Sequence, residues 1–384
     1  MNISQFEKCA DCGMCENICP KNAISVKEDG FYYRPVVDDS LCVDCGLCAG
    51  RCPVNREAEE NELIAAYYAV NRDKETVWKS SSGGVFSALA DIVLKENGVV
   101  FGAGFSSDSR KVVFLSTDET DLDSLRRSKY VESLTGKSFR QIETQLRQGR
   151  RALFCGTPCQ AAGLREYLGK AYDNLIICDF LCGGLPSHRM YEDYLSDLEN
   201  RFHSKVKSVN FRPKTFGWKE YAIKVTFDNG KEYLKQASLD PYFSSFLHRR
   251  LSIRDLCAEC PFTKSHRSDI TLADFWRYKS ITGQDNDEGI SMILVNTKNG
   301  LDAVENLKNS VSLDPLSNDQ VAYVYKPHGL SKGYFEKRKA FLDECRLNGI
   351  VSAGEKYCVT KGSDAVKAYL RGISRKRSAK KLIK

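Results

Sequence analysis

The sequence predicts a mixed α/β protein, α+β or α/β in class: a small cysteine-rich N-terminal unit, then a larger body. Three observations predict it. Sixteen of the 384 residues are cysteine, and eight of them fall within the first 52 positions. Strand-length apolar runs then alternate with helical patterns from about residue 63 to 202. From about 205 the runs are mixed α/β, and from 316 onward the pattern is mostly helical. With 42% apolar and 28% charged residues, the chain has ample material for a packed core. The divisions read from this pattern are 1–56, 63–150, 151–325 and a helical extension 326–384.

The N-terminal unit carries the most specific signal. "CADCGMCENICP" and "CVDCGLCAGRCP" both read C-x2-C-x2-C-x3-C-P. They use Cys9, Cys12, Cys15 and Cys19, then Cys42, Cys45, Cys48 and Cys52. This is the bacterial ferredoxin run, and two copies predict two 4Fe-4S clusters. In such runs the fourth cysteine crosses to the other cube. One cluster should therefore take Cys9, Cys12, Cys15 and Cys52, and the other Cys42, Cys45, Cys48 and Cys19. Pro20 and Pro53 close the turns, and the residues between the runs suit a hairpin. Zinc knuckles are the competing reading, but zinc sites more often show a longer gap between paired cysteines. "EAEENE" at 57–62 reads as a short acidic linker.

The body opens with strand-like runs at 63, 98, 111, 152 and 174. Helical patterns fall at roughly 83–97, 137–149, 158–169 and 187–202, and the alternation predicts a largely parallel sheet. "YAIKVTFDNGKEYLKQA" alternates around Asn229-Gly230 and reads as a hairpin. Further strands are expected at 269 and 290. In "KSSSGGVFSALADIVLKENG", Lys79, Ser80, Ser81 and Ser82 precede Gly83-Gly84 and a helix start. Such a turn can cradle a dinucleotide pyrophosphate on helix N-terminal amides, or serve as a plain cap.

The turn "CGTPCQAAG" starts a helix at Pro158, placing Cys159 at its N-terminus, where a thiolate is favoured. If 152–156, 159–169 and 174–181 form a β-α-β unit, Cys159 and Cys182 meet on one sheet edge. Cys257 and Cys260, in "CAECP", complete four thiolates for a third 4Fe-4S cluster. Structural zinc on the same four residues, or a Cys155/Cys159 redox dithiol, are the alternatives. Cys155 and Cys178 read as buried filler, and Cys345 and Cys358 as chemically idle.

Charge excludes a general nucleic-acid surface. The net charge is +7, but the last 18 residues carry eight Lys/Arg and no acid, so the rest is near −1. That tail reads as a solvated terminus, or as a weak contact with an acidic partner or membrane surface. The start lacks the basic and apolar regions of a secretory signal, and no apolar run reaches the length of a membrane span, so a cytoplasmic setting is expected. Sixteen cysteines there point to metal or redox chemistry rather than disulfides.

Taken in order, the double cysteine run, "KSSSGG", "SKYVES", "CGTPCQ", "FLCGGLPS", "FRPKTFGW", "CAECP" and "SDITLADFW" resemble the beta-subunit family of coenzyme F420-reducing hydrogenases and dehydrogenases. That family includes 7-hydroxymethyl chlorophyll a reductase and bacterial members found near polysaccharide-synthesis genes. The resemblance covers about residues 1–325. It implies FAD in the α/β body, fed by iron–sulfur clusters, with an acceptor site over the flavin. It makes Lys79, Ser81, Ser82, Gly83, Gly84, Ser128, Lys129, Tyr130, Gly156 and Thr157 candidates for the cofactor site. Arg212, Lys214 and Trp218 fall near the acceptor, and Lys129, Arg212 and Lys214 are the catalytic candidates. Ala273-Asp274 departs from the family's frequent Gly-Asp.

The expected function is an iron–sulfur flavoprotein oxidoreductase. Clusters carry single electrons, and flavin joins them to hydride-equivalent chemistry. Electrons would enter from ferredoxin or another donor and leave to a small organic or sugar-derived substrate. An electron-transfer subunit serving a partner enzyme, or an F420-dependent oxidoreductase, are the competing readings.

Overall fold

The computed structural model describes residues 2–56, 62–119, 122–324 and 330–382. The 57–62 linker, apart from Glu62, and the division at 325/326 lie outside the described residues. In the N-terminal unit, β1 (Ile24–Asp29) and β2 (Tyr32–Val37) form the hairpin between the cysteine runs, paired from Ile24–Val37 to Asp29–Tyr32. The short helices Met14–Ile18 and Leu47–Gly50 each start after a left-handed glycine, Gly13 (φ 78°) and Gly46 (φ 72°). Both turns therefore bend tightly around the cysteines they carry.

The body is organised on one sheet. Its first strands are β3 (Ala65–Asn71), β4 (Val99–Phe105), β5 (Val112–Thr117), β6 (Ser133–Leu134), β7 (Ala152–Cys155) and β8 (Leu175–Phe180). Next, β9 (Val206–Asn210), β10 (Ala222–Phe227) and β11 (Glu232–Gln236) form a separate antiparallel sheet of three. Gly230 takes φ 79° in the Asn229-Gly230 turn, as a tight hairpin requires. Last, β12 (Ile270–Asp274), β13 (Ser291–Val295) and β14 (Val311–Pro315) return to the main sheet. The order there is β14-β3-β13-β12-β8-β7-β4-β5-β6.

The largely parallel sheet expected from the alternation is corrected. Pairs β4–β7, β7–β8, β8–β12 and β5–β6 are parallel, while β4–β5, β12–β13, β3–β13 and β3–β14 are antiparallel. Strands covered on both faces read as continuous apolar runs in either direction, and β13 is buried at all five positions. Direction comes from the connections, which apolar content does not encode.

The helix Pro158–Leu168 shows why the chain turns where it does. Thr157 caps it by accepting from the Gln160 amide, Gln160 accepts in return from the Thr157 amide, and Pro158 occupies the first turn. Gly169 ends it at φ 66°. A capping box of this kind contributes about 1 kcal/mol. The first turn of this helix, with Cys159, lies against the N-terminal unit, Cys159 Sγ standing 3.6 Å from the Ala10 carbonyl.

That unit shares its core with the body. Met14, Cys12, Cys48 and Cys52 lie in one apolar cluster with Phe139, Phe154, Ala161 and Leu164. Arg140 donates to the Asn17 and Cys19 carbonyls, each at 2.6 Å. Gly163 is flush against Cys12: a Cβ there would stand 3.1 Å from Cys12 Cβ, O and Sγ. Gly163→Val is therefore expected to wedge the two units apart, costing roughly 1–3 kcal/mol. A lowered melting temperature with earlier iron release on heating checks this.

Candidate functional site

A cavity of about 100 Å³ in the N-terminal unit is lined by Cys9, Cys12, Cys15 and Cys52, together with apolar Ile3, Met14 and Val54. Three of these cysteines come from the first run and one from the second. Burial pushes the Cys12 and Cys15 thiols far above their ordinary value, and Cys9 and Cys52 upward as well. A free thiolate is disfavoured there unless a metal neutralises it. The Asp11 amide donates to Cys9 Sγ and the Ala23 amide to Cys19 Sγ, each at 3.3 Å. Such bonds tune cluster potentials. Cys48 feels both Cys15 and Cys19, so the two cysteine sets adjoin.

In the body, β7 and β8 are parallel neighbours, and the helix between them starts at their C-terminal ends. Cys159 lies in that helix's first turn and Cys182 just beyond β8. Cys257, in the short helix Asp255–Ala258, and Cys260, just past it, meet them. Cys159 is buried and interacts with Cys260, Cys182 and Cys257. Burial raises the Cys182 and Cys257 thiols to about 12. The Gly184 amide donates to Cys182 Sγ and the Leu185 amide to Cys257 Sγ, both at 3.4 Å. Among the described residues, no group of three His, Cys, Asp or Glu closes on a single-ion site. Four cysteines around an iron–sulfur cube each bind a separate corner, which sets them wider than around one ion.

Cys159 reaches the N-terminal cysteine run. Cys159 Sγ lies 3.6 Å from the Ala10 carbonyl, between Cys9 and Cys12, and Cys12 in turn feels Cys159. Beside this contact runs a buried charge bridge that sequence reading missed. Arg254 donates to Glu132 Oε2 at 2.8 Å, to the Tyr33 carbonyl at 2.5 Å and to the Cys9 carbonyl at 3.4 Å. Asp11 lies 3.8 Å away, its carboxyl pushed up to about 7 by burial against the pull of Arg254. Glu132 also meets His188 Nδ1 at 2.5 Å, and His188 stacks on Tyr33 at 3.6 Å.

Cys155 is not the interior filler expected. It ends β7, is half-buried, and pairs across the strands with buried Cys178, whose thiol it hydrogen-bonds. Its partner is thus Cys178 rather than Cys159. Cys345 and Cys358 are both buried, and Cys345 feels Cys358.

The turn 79–84 and the stretches around 128 and 212 converge. Ser81 Oγ accepts from the Ser128 amide at 2.8 Å and meets its hydroxyl at 3.0 Å. Lys214 Nζ donates to the Val77 carbonyl at 2.5 Å and the Ser82 carbonyl at 3.0 Å. Lys129 Nζ donates to the Arg126 carbonyl at 2.7 Å. Burial depresses both lysines to about 7. Arg212 pairs with Asp274 at 2.7 Å, lies over the Tyr221 ring at 4.2 Å, and keeps a buried Nη2 without a partner. Asp274 also accepts from Trp218 Nε1 and the Tyr221 hydroxyl, so this one carboxylate aligns three side chains. Tyr130 bonds Ser128 and Tyr221, closing the ring of contacts. Trp218 stacks on half-exposed Trp276 at 4.4 Å.

Not every candidate is free for a ligand. Lys79 pairs with Glu75 at the surface. Ser82 donates to the Ile290 carbonyl. A Cβ on Gly83 would lie 2.5 Å from the Ala69 carbonyl, so this glycine serves helix–sheet packing. Gly84, at φ 83°, caps the helix Val85–Lys95 without a side-chain bond, which leaves its first-turn amides uncapped by protein side chains. Gly156 donates to the Cys178 carbonyl, and Thr157 is occupied with its helix cap and with Cys159 Sγ at 3.0 Å. The uncapped helix start, two depressed lysines and an orphaned guanidinium nitrogen form a donor set suited to an anionic cofactor.

Two family models match the chain. Residues 8–56 match the 4Fe-4S dicluster domain. Residues 149–318 match the C-terminus model of the coenzyme F420 hydrogenase/dehydrogenase beta subunit. No curated protein matches. Among solved structures, a chain of the F420-reducing NiFe hydrogenase complex from Methanosarcina barkeri is 16% identical, with 78% of this chain and 97% of that chain covered and a TM-score of 0.47. A likeness that low carries no argument about this chain. The chain thus joins a 4Fe-4S dicluster domain to a region similar to the C-terminus of coenzyme F420 hydrogenase/dehydrogenase beta subunits, and is an iron–sulfur, electron-transfer protein of oxidoreductase type related to them.

Proposed function

We propose that the chain passes electrons from its dicluster domain, through a third 4Fe-4S cluster on Cys159, Cys182, Cys257 and Cys260, to FAD, and on to a small organic or sugar-derived substrate. The observation that carries the reading is the approach of Cys159 Sγ to within 3.6 Å of the Ala10 carbonyl, in the run between Cys9 and Cys12, which brings the two cysteine sets side by side. Cys9, Cys12, Cys15 and Cys52 would hold one cluster, and Cys42, Cys45, Cys48 and Cys19 the other. Ser81, Ser128, Lys129, Tyr130 and the start of the helix Val85–Lys95 would hold FAD. FAD supplies the exchange between one-electron and two-electron chemistry. Arg212, fixed by Asp274, orients an anionic or hydroxyl-rich substrate, and Lys214 offers a proton from a group poised near neutrality. The matching family description names a beta subunit, which favours a second reading, an electron-transfer subunit serving a partner enzyme.

The lysines supply a test. Without a bound anion both are held at about 7, below the ordinary lysine value, so they shed protons as pH rises through 7. An anionic diphosphate beside them favours the charged form and draws protons in. FAD is therefore expected to bind more tightly at pH 6 than at pH 9, by at least roughly tenfold. Lys129→Met should weaken binding at pH 6 and flatten the profile. Flavin fluorescence quenching reads both, and pH-independent binding, or none, would remove the flavin assignment. The same depression has the opposite effect on the flavin-free fold. The unfolded chain binds more protons than the folded one between pH 7 and about 10, so flavin-free stability rises with pH across that window.

A further inference from the structure

The basic C-terminal stretch is a helix, Gly362–Leu382, with two faces of different use. One face is docked. Ala368 and Ala379 are buried, Gly372 lies against the Gln236 side chain, and Gln236 Nε2 donates to the Ala368 carbonyl at 2.8 Å. Arg375, on the same face, reaches Asp287 at 3.2 Å and Glu220 at 4.0 Å. Positions 368, 372, 375 and 379 recur at helical spacing, so this face fixes the helix on the body.

The opposite face is apolar and bare. Val366, Tyr369, Leu370 and Ile373 fall at i, i+3, i+4 and i+7, and are 58%, 60%, 57% and 37% exposed. Four ordered apolar side chains on one stripe are not the scattered exposure of an ordinary surface. Basic residues flank them: Lys367, Lys376 and Arg377, at i±3 or i±4 from members of the stripe, are all exposed. Asp364 is the one acid between residues 362 and 382. An apolar stripe bordered by cations, with an aromatic hydroxyl at its margin, fits an anionic lipid surface: the stripe enters the headgroup–acyl boundary while the cations meet lipid phosphates. No helix among the described residues is long and apolar enough to cross a membrane, so the contact is peripheral.

We propose that the helix Gly362–Leu382 docks the protein on anionic membrane surfaces through Val366, Tyr369, Leu370 and Ile373, with its basic residues supplying the charge selectivity. The helix need not leave the body to do so, because the docked and bare faces are nearly opposite. The electron-transfer centres would thereby be held at a membrane without any spanning helix.

The test uses the full cluster-loaded chain and extruded vesicles of phosphatidylcholine, alone or with about one-third phosphatidylserine. Co-sedimentation is expected only with the anionic vesicles, and is expected to fall steeply with added salt. Lys376→Glu should lower partitioning by about fivefold or more, the worth of one cation near such a surface. Leu370→Glu, at an exposed site, should abolish binding while leaving iron content and melting temperature unchanged. Equal binding to neutral vesicles, or unchanged binding by Leu370→Glu, would overturn the proposal. So would a concentration-dependent dimer that Leu370→Glu breaks while vesicles go unbound, which would assign the face to a second copy of the chain.

Discussion

Anaerobically reconstituted Cys159→Ser is expected to hold about eight iron atoms where the unaltered chain holds about twelve. Cys159 is buried against Cys182, Cys257 and Cys260, and a serine hydroxyl is a poor iron ligand that would be forced to ionise in an apolar place. The dicluster domain should keep its iron, because none of its cysteine sets draws on this residue in the proposed pairing. Cys155→Ser makes the comparison. Cys155 hydrogen-bonds Cys178 at the end of β7 and has no place in the four-cysteine group, so its loss should cost modest stability and no iron. Equal damage to turnover by both serines, with full iron in each, would point instead to a dithiol. Eight iron and one zinc in the unaltered chain would replace the third cluster with a structural metal.

The second large effect belongs to Arg254. Arg254→Met leaves Glu132, wholly buried, and Asp11, nearly so, without their cation. Removing one partner from a buried charge set costs about 3–5 kcal/mol, against a whole-domain stability of about 5–15. The same change releases the Cys9 and Tyr33 carbonyls, so the damage should concentrate where the N-terminal unit meets the body. Arg254→Met is expected to lower the melting temperature sharply and to expose the N-terminal unit to protease. Arg254→Lys should recover part of both, since it keeps the charge but loses the forked geometry. A melting curve unchanged in Arg254→Met would show that the bridge holds nothing together.

The legible parts of this molecule are those whose partners are close in the chain. The dicluster runs carry their spacing within twelve residues, and Thr157, Pro158, Gln160 and Gly169 mark their helix by local rules alone. The meeting of Cys159 with Cys182 followed from β7 and β8 being neighbours joined by one helix. The partners of Asp274, Arg254 and Glu132 were not legible, although "SDITLADFW" and "SKYVES" contain two of the three. Asp274 serves Arg212 from 62 positions away, and Arg254 serves Cys9 from 245, with nothing in the local pattern to separate them from surface charges. A further hint for Asp274 is its place as a carboxylate at the end of the strand "ITLAD". Gly83 misled for a related reason. A glycine required by the Ala69 carbonyl beneath it looks, in sequence, like one required by a ligand.

The most direct measurement is stopped-flow reduction of the FAD-loaded chain by a low-potential donor, reduced ferredoxin or dithionite, without oxygen. Cluster and flavin absorbance are followed separately in the unaltered protein and in Cys159→Ser. Cluster bleaching is expected in both, followed promptly by flavin bleaching in the unaltered protein and only after a long lag in Cys159→Ser. Flavin reduction at the same rate in both proteins, with the dicluster iron intact, would contradict the route through Cys159.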